Sequence, residues 1–244
     1  MNAEELLERY ARGERQFHSA KLRGVDLKGA NLSGIDLNSA DLSEANLSEA
    51  ILTKASLHNI NLSKANLTKA NLSGVQGSSQ NMISANLTGA NLSGSCFNHS
   101  KFWDAKLDQA NLSGANLSSA NLTRTSLIEA NLSKATLSSA ILTQADLTKA
   151  DLSRADLTGV TLQSANLQGA KLQLAKVSKS NLSWVNLDEA YLVGADIQET
   201  NLKKSSLQGA SLEAANLQGA NLIKANLDRA NLKQADLTDA NIYA

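Results

Sequence analysis

The feature that most constrains this chain is a five-residue period running almost unbroken from Phe17 to Ile242. Between Ala110 and Arg124 it reads A-N-L-S-G, A-N-L-S-S, A-N-L-T-R. Self-similarity at a fixed period is the signature of a repeat architecture and takes precedence over local patterns. With the central apolar residue as reference there are 46 units, 38 with Leu at the centre and 32 with Ala two residues earlier. Five matches neither the period of a helix nor that of a plain strand. Within one unit, however, Ala-x-Leu is a two-residue step, so both side chains reach one side of a short extended segment. The Ser, Thr, Gly and charged residues that follow favour a corner. A short side and a corner, repeated, wind into a polygonal coil with Leu and Ala inside.

The charges give the number of sides. Residues one coil apart stack about 4.8 Å from each other, so opposite charges are favoured at that separation and like charges disfavoured. Twenty residues apart, the repeat has ten opposite-charge pairs and two like-charge pairs. Glu44 with Lys64, Asp104 with Arg124, Asp156 with Lys176, Lys176 with Asp196, and Lys179 with Glu199 are among the ten. Separations of 15 and 25 show no comparable excess. Twenty residues, four units, therefore make one turn. The sides are numbered from the unit centred on Phe17, so the unit centred on Leu22 opens the second side.

With 46 such units, the chain resembles the pentapeptide-repeat family over residues 15 to 244. The resemblance implies an all-β fold, a right-handed quadrilateral β-helix (a β-solenoid), with four sides as the charges indicate. Residues 1–14 are expected to form a short N-terminal capping helix and 15–244 a single β-helical domain. Eleven and a half coils make a rod of roughly 55 Å. The opening E-L-L-E-R-Y-A-R-G-E-R-Q-F also resembles the start of many cyanobacterial members.

Residues 2 to 13 carry helix signals: capping-box spacing at Asn2 and Glu5, an apolar stripe of Leu6, Leu7 and Tyr10, and Gly13 as a stop. Such a helix can cover the first coil's open edge. The repeat runs on to the last residues with no second helix. Some family members dimerise through their C-terminal coils by an added helix, which this sequence lacks, so a monomer or a C-terminal homodimer is expected. The repeat's one defect lies between Gly74 and Ser84, where Gly77 replaces Leu and Gln80 replaces Ala. Either a loop protrudes there, or Phe97 and Ser100, one coil on, repack around the missing side chain and the buried amide. The phase is unchanged across the defect, which favours repacking in register.

Composition narrows the function. Twenty-three cations balance 23 anions, so no long-range field steers the chain toward nucleic acid. The single cysteine, Cys96, excludes an internal disulfide framework. The polar start has no apolar core of a signal peptide, no stretch is long enough to span a membrane, and the cytoplasm is the expected compartment. The N-L-S and N-L-T triplets match the glycosylation pattern but are by-products of the repeat. His18, His58 and His99 fall on the first side, neighbours roughly 10 Å apart, too far for one metal to bridge. Cys96 and His99 have metal-like spacing without further ligands. A filled solenoid offers no deep pocket, and no nucleophile–base constellation can be assembled. No enzyme activity, catalytic residue, metal or cofactor is expected.

The sides are more informative. Their net charges are about −3, +5, −3 and +3. The second, most basic side collects the outward apolar residues Ile83, Trp103, Ile141, Trp184, Ile223 and Tyr243, including both tryptophans. The opposite side carries Leu174, Tyr191 and Val193. Aromatic residues beside cations are enriched at protein interfaces, so these are the candidate partner-binding residues. The expected function is a non-catalytic protein-interaction scaffold or regulator with an unidentified protein partner. Cyanobacterial relatives include a regulator of heterocyst differentiation, which agrees with that reading. The alternative implied by the family is a DNA mimic that modulates a type II topoisomerase such as gyrase, but that mechanism needs a strongly acidic rod. Direct nucleic-acid contact through the basic side is a third option; its cations are spread along the rod and several are paired.

Overall fold

A computed structural model describes residues 1–242. One helix, α1 (Ala3–Ala11), precedes the coils. Parallel bridges then join residues 20 apart, from Gln16 with Asp36 to Asn221 with Asn241. Each coil therefore has four sides and the fold is a right-handed quadrilateral β-helix. The right hand is the usual one for a chain returning to pair in parallel with itself.

One unit shows why the sequence folds this way. Leu27 and Gly29 donate their amides to Asn46 and Ser48 in the next coil, at 2.7 and 2.8 Å. Asn46 donates back to Val25 at 2.9 Å, and the Ala30 amide closes a turn onto the Leu27 carbonyl at 3.0 Å. The remaining amide, on Ser48, reaches the Asn46 side-chain Oδ1 at 3.2 Å. That last bond explains the Asn or Asp that precedes the central residue in 29 of the 46 units, since its short oxygen serves the one amide the backbone cannot. Where Ser56, Ser126 and Ser206 hold that place, an Asn or Asp one coil earlier substitutes. The Asp188 carboxylate accepts from the Gln208 amide at 2.9 Å and from the Ser206 hydroxyl, and Asp108 treats Ile128 and Ser126 alike.

The second corner residue has a left-handed backbone in all 45 described units, from Ser19 to Asp239. Only 12 of these are Gly, so at the other 33 the ladder and the core offset a cost of about 1–2 kcal/mol each. The core is a column of Leu and Ala with almost no solvent contact from Leu22 to Leu222. Where Ser or Thr replaces Ala inside, its hydroxyl donates to a main-chain carbonyl at every site except Ser100, as Thr125 does to Phe102 at 2.9 Å and Ser180 to Leu157 at 2.8 Å. Among the described residues no buried side-chain N or O lacks a partner.

Helix α1 packs on the first coils. Asn2 caps it by accepting from the Glu5 amide at 2.9 Å, and Gly13, at φ +94°, ends it. Leu6 is fully buried and the Tyr10 hydroxyl donates to the Ser33 carbonyl at 2.8 Å. Leu7, expected in the same stripe, is 38% exposed. Toward the end of the described residues Leu237 and Ile242 are exposed.

The defect stays in register. The Cys96 amide still reaches Val75 at 2.9 Å and the Ser79 amide reaches Asn98 at 3.0 Å. Gln80 is fully buried, and its side-chain amide donates to the Cys96 carbonyl at 3.3 Å, in place of the residue-77 amide. Ser100 donates to the Gln80 side-chain carbonyl and accepts from the Gln80 amide at 3.0 Å. A side chain at residue 77 would strike Gln80, and its Cβ would lie 3.0 Å from the Leu57 carbonyl. Phe97 and Phe102, edge to face at 5.7 Å, fill the coil after the defect.

A double-mutant cycle tests this exchange. Gly77→Leu and Gln80→Ala should each destabilise the chain, the first by overpacking and the second by removing the acceptor of the Ser100 hydroxyl and the donor to the Cys96 carbonyl. Together they restore the repeat, so denaturant titration should give a favourable coupling of about 1–3 kcal/mol. Additive losses would contradict it.

Candidate functional site

The corners that project Lys, Glu and Arg also decide where apolar side chains become exposed. Trp103 is a first-corner residue, 41% exposed, and Trp184 a second-corner residue, 55% exposed. Both lie on the second side, four coils or roughly 19 Å apart, in neighbouring columns. Each ring carries a cation from the next coil: Arg124 lies 4.9 Å from the Trp103 centroid and Lys204 Nζ 4.0 Å from that of Trp184. Ile141 is 42% exposed, but Ile83 and Ile223 are half-buried. Each of these two shares a column with a longer side chain one coil away, Trp103 and Lys203. The second side thus presents two aromatic–cation clusters, not one continuous stripe. Tyr243 lies outside the described residues.

On the fourth side Leu174, Tyr191 and Val193 occupy adjacent coils and are 54%, 49% and 37% exposed. Gly194 leaves the room Leu174 uses: a Cβ there would lie 2.9 Å from Leu174 Cδ2. Tyr191 borders a shallow groove of about 440 Å³, with Glu129, Lys149, Gly169, Lys171 and Glu189 along it.

Fewer charge pairs close than the 20-residue spacing promised. Arg124 forks onto Asp104 at 2.8 and 2.7 Å, as expected. Glu44 instead pairs with Arg23 at 2.9 Å, and Glu49 with Lys28 at 3.7 Å. Asp156 and Asp196 turn into their own corners, each accepting from the amide two residues on, at 3.0 and 3.3 Å. An Asx turn and an ion pair compete for the same carboxylate, and at this position the turn wins. The same competition holds the Asp41 carboxyl below the usual range, through the Ser43 hydroxyl first and the Ser43 amide second.

The histidines do not converge. His18 Nδ1 is 3.3 Å from Asp36 and His58 Nδ1 is 3.3 Å from the Ser78 hydroxyl. Among the described residues no group of three or more His, Cys, Asp or Glu is placed to hold a metal, and no helix is long and apolar enough to cross a membrane.

Against this geometry, the family model described as pentapeptide repeats (8 copies) matches overlapping segments from residue 20 to residue 242. The chain belongs to the pentapeptide repeat family. Proteins of this family are generally structural or regulatory. Among solved structures it is similar to HetL, a pentapeptide repeat protein of the cyanobacterium Nostoc involved in heterocyst differentiation regulation. That match has 32% identity, covers 98% of each chain and has a TM-score of 0.44. It is also similar to the pentapeptide repeat protein Rfr23 from the cyanobacterium Cyanothece, with 38% identity over 38% of this chain and 64% of that one, TM-score 0.37. QnrB1, a plasmid-mediated fluoroquinolone resistance protein, shares the fold at 18% identity, covering 77% of this chain and 93% of its own, TM-score 0.57. No curated protein sequence matches significantly.

The Trp103 cluster has a pH signature. Arg124 holds the Asp104 carboxyl below the usual range. A lowered carboxyl contributes fully above its ordinary pKa, about 3.9, and is lost as pH falls through the still lower folded value. Trp103 fluorescence in a Trp184→Phe variant should be flat from about pH 8 to pH 4 and change only below that. Asp104→Asn should remove the acid transition; its persistence would show that the ring does not sense this pair.

Proposed function

We propose that this chain is a non-catalytic scaffold that binds a protein partner through the faces of a rigid β-helical rod, acting in the cytoplasm without cofactor. The observation that carries this reading is the outward placement of Trp103, Trp184, Leu174 and Tyr191 around a filled, fully hydrogen-bonded core. Exposed Trp and Tyr side chains that the ladder does not need are typical binding anchors. Ile141 and Val193, with the half-buried Ile83 and Ile223, complete the candidate contact set. HetL, similar along nearly the whole chain, is involved in regulation, which supports a regulatory scaffold. A monomer and a homodimer through the last coil are both compatible with these faces.

The second reading, a DNA mimic acting on gyrase, draws on the fold shared with a fluoroquinolone resistance protein. Charge argues against it. The chain is neutral, and Glu44, Glu49 and Asp104 lie within 4 Å of a cation.

Affinity capture from a lysate of the source organism should recover a partner on the wild-type chain and lose it on Trp103→Ala/Trp184→Ala or on Leu174→Ser/Tyr191→Ser. A parallel supercoiling assay should show gyrase unaffected at low micromolar protein. Inhibition there would overturn the scaffold reading in favour of the mimic.

A further inference from the structure

The two aromatic clusters on the second side differ in one respect. Trp103 sits beside a neutralised pair, Arg124 forked onto Asp104. Trp184 sits beside cations that form no ion pair among the described residues. Lys203, Lys204 and Lys224 are exposed, and none is within 4 Å of a carboxylate among the described residues. From residue 105 to residue 244 the second side carries no Asp or Glu, its three acidic residues being Asp41, Glu44 and Asp104. On the next side, Asp188 is engaged by the Ser206 hydroxyl and the Gln208 amide.

Two features of this cluster work against the stability of the rod. Lys204 and Lys224 are second-corner residues of successive coils, so two like charges stack roughly 4.8 Å apart, an unfavourable facing pair. Trp184 holds a left-handed backbone, φ +61°, with its large ring 55% exposed. Gly would suit that corner better. An exposed aromatic ring and a stacked cation pair meet at one place, and both would gain from an apolar, anionic occupant. The footprint is short, spanning the coils of Trp184, Lys204 and Lys224. Duplex DNA engages about 6–10 phosphates for strong binding, more than three cations on a neutral rod can serve.

We propose that this surface docks an acidic segment of a protein partner, with a large apolar side chain against Trp184 and carboxylates on Lys203, Lys204 and Lys224. The proposal rests on the scaffold reading and gives its partner a chemistry.

The test uses the full chain with Trp103→Phe, so that Trp184 is the sole tryptophan. The probe is a synthetic peptide of alternating Glu and Leu, with a Lys-and-Leu counterpart and a short DNA duplex for comparison. The acidic peptide should change Trp184 emission saturably, and raising salt should weaken it. Lys204→Glu/Lys224→Glu should cost at least about tenfold in affinity, as expected when like charge replaces complementary charge. Trp184→Gly should reduce binding, measured by calorimetry, by a similar factor while leaving Tm unchanged or higher, because the corner prefers Gly. A merely structural tryptophan would instead lower Tm. No emission change, equal binding of the basic peptide, retained affinity in the double Glu variant, or preference for the duplex would each overturn the proposal. A partner captured through Leu174 and Tyr191 alone would leave the scaffold reading standing and still overturn this one.

Discussion

The main-chain hydrogen bonds between successive coils are the interaction on which everything else depends. Each coil donates forward from its central and second-corner amides and receives one bond back, as Leu27, Gly29 and Asn46 show. A chain can keep that ladder for eleven turns only if every corner turns alike. This is why Lys, Glu, Gln and even Trp184 accept the left-handed backbone that Gly would take more readily. The ladder also fixes the interior. With the backbone satisfied coil to coil, the space inside admits a Leu and a small residue per side, and any polar intruder must bring its own partners.

The same constraint shapes what the surface can do. Asn and Asp before the central Leu are committed to their own corners, so most of the polar decoration is structural. That commitment explains why complementary carboxylates such as Asp156 and Asp196 accept from corner amides. Freedom is left to the corner side chains, where exposed Trp, Leu and unpaired Lys can be placed without disturbing the ladder. Function on such a rod belongs to corners and to the columns they form.

Much of this is legible in the residues. The period gave the coil, and the charge spacing gave four sides, because backbone geometry leaves side chains one turn apart facing each other. Asn2 and Gly13 marked the ends of the helix by capping chemistry alone. The in-register defect at Gly77 and Gln80 was readable from Phe97 and Ser100, since a lost volume and a buried amide must be answered one coil away. The hidden parts depend on rotamers. Column position does not say whether Glu44 reaches Arg23 or Lys64, nor that Lys204 and Arg124 lie against the tryptophan rings, nor that Leu7 faces outward. Nor does it show that Ile83 and Ile223 are half-covered, because cover comes from the length and bend of neighbouring side chains.

Residue-resolved amide hydrogen exchange tests the inter-coil ladder most directly. Between Leu27 and Leu222 four amides of each unit are bonded main chain to main chain in most units, while the first-corner amide leans on a side-chain oxygen. Protection should therefore repeat every five residues, with Ser48, Ser63 and Ser113 exchanging fast and Leu47, Leu62 and Leu112 approaching the global limit. Central-Leu amides exchanging as fast as the first-corner amides would contradict the ladder, and with it the account of why each residue holds its place.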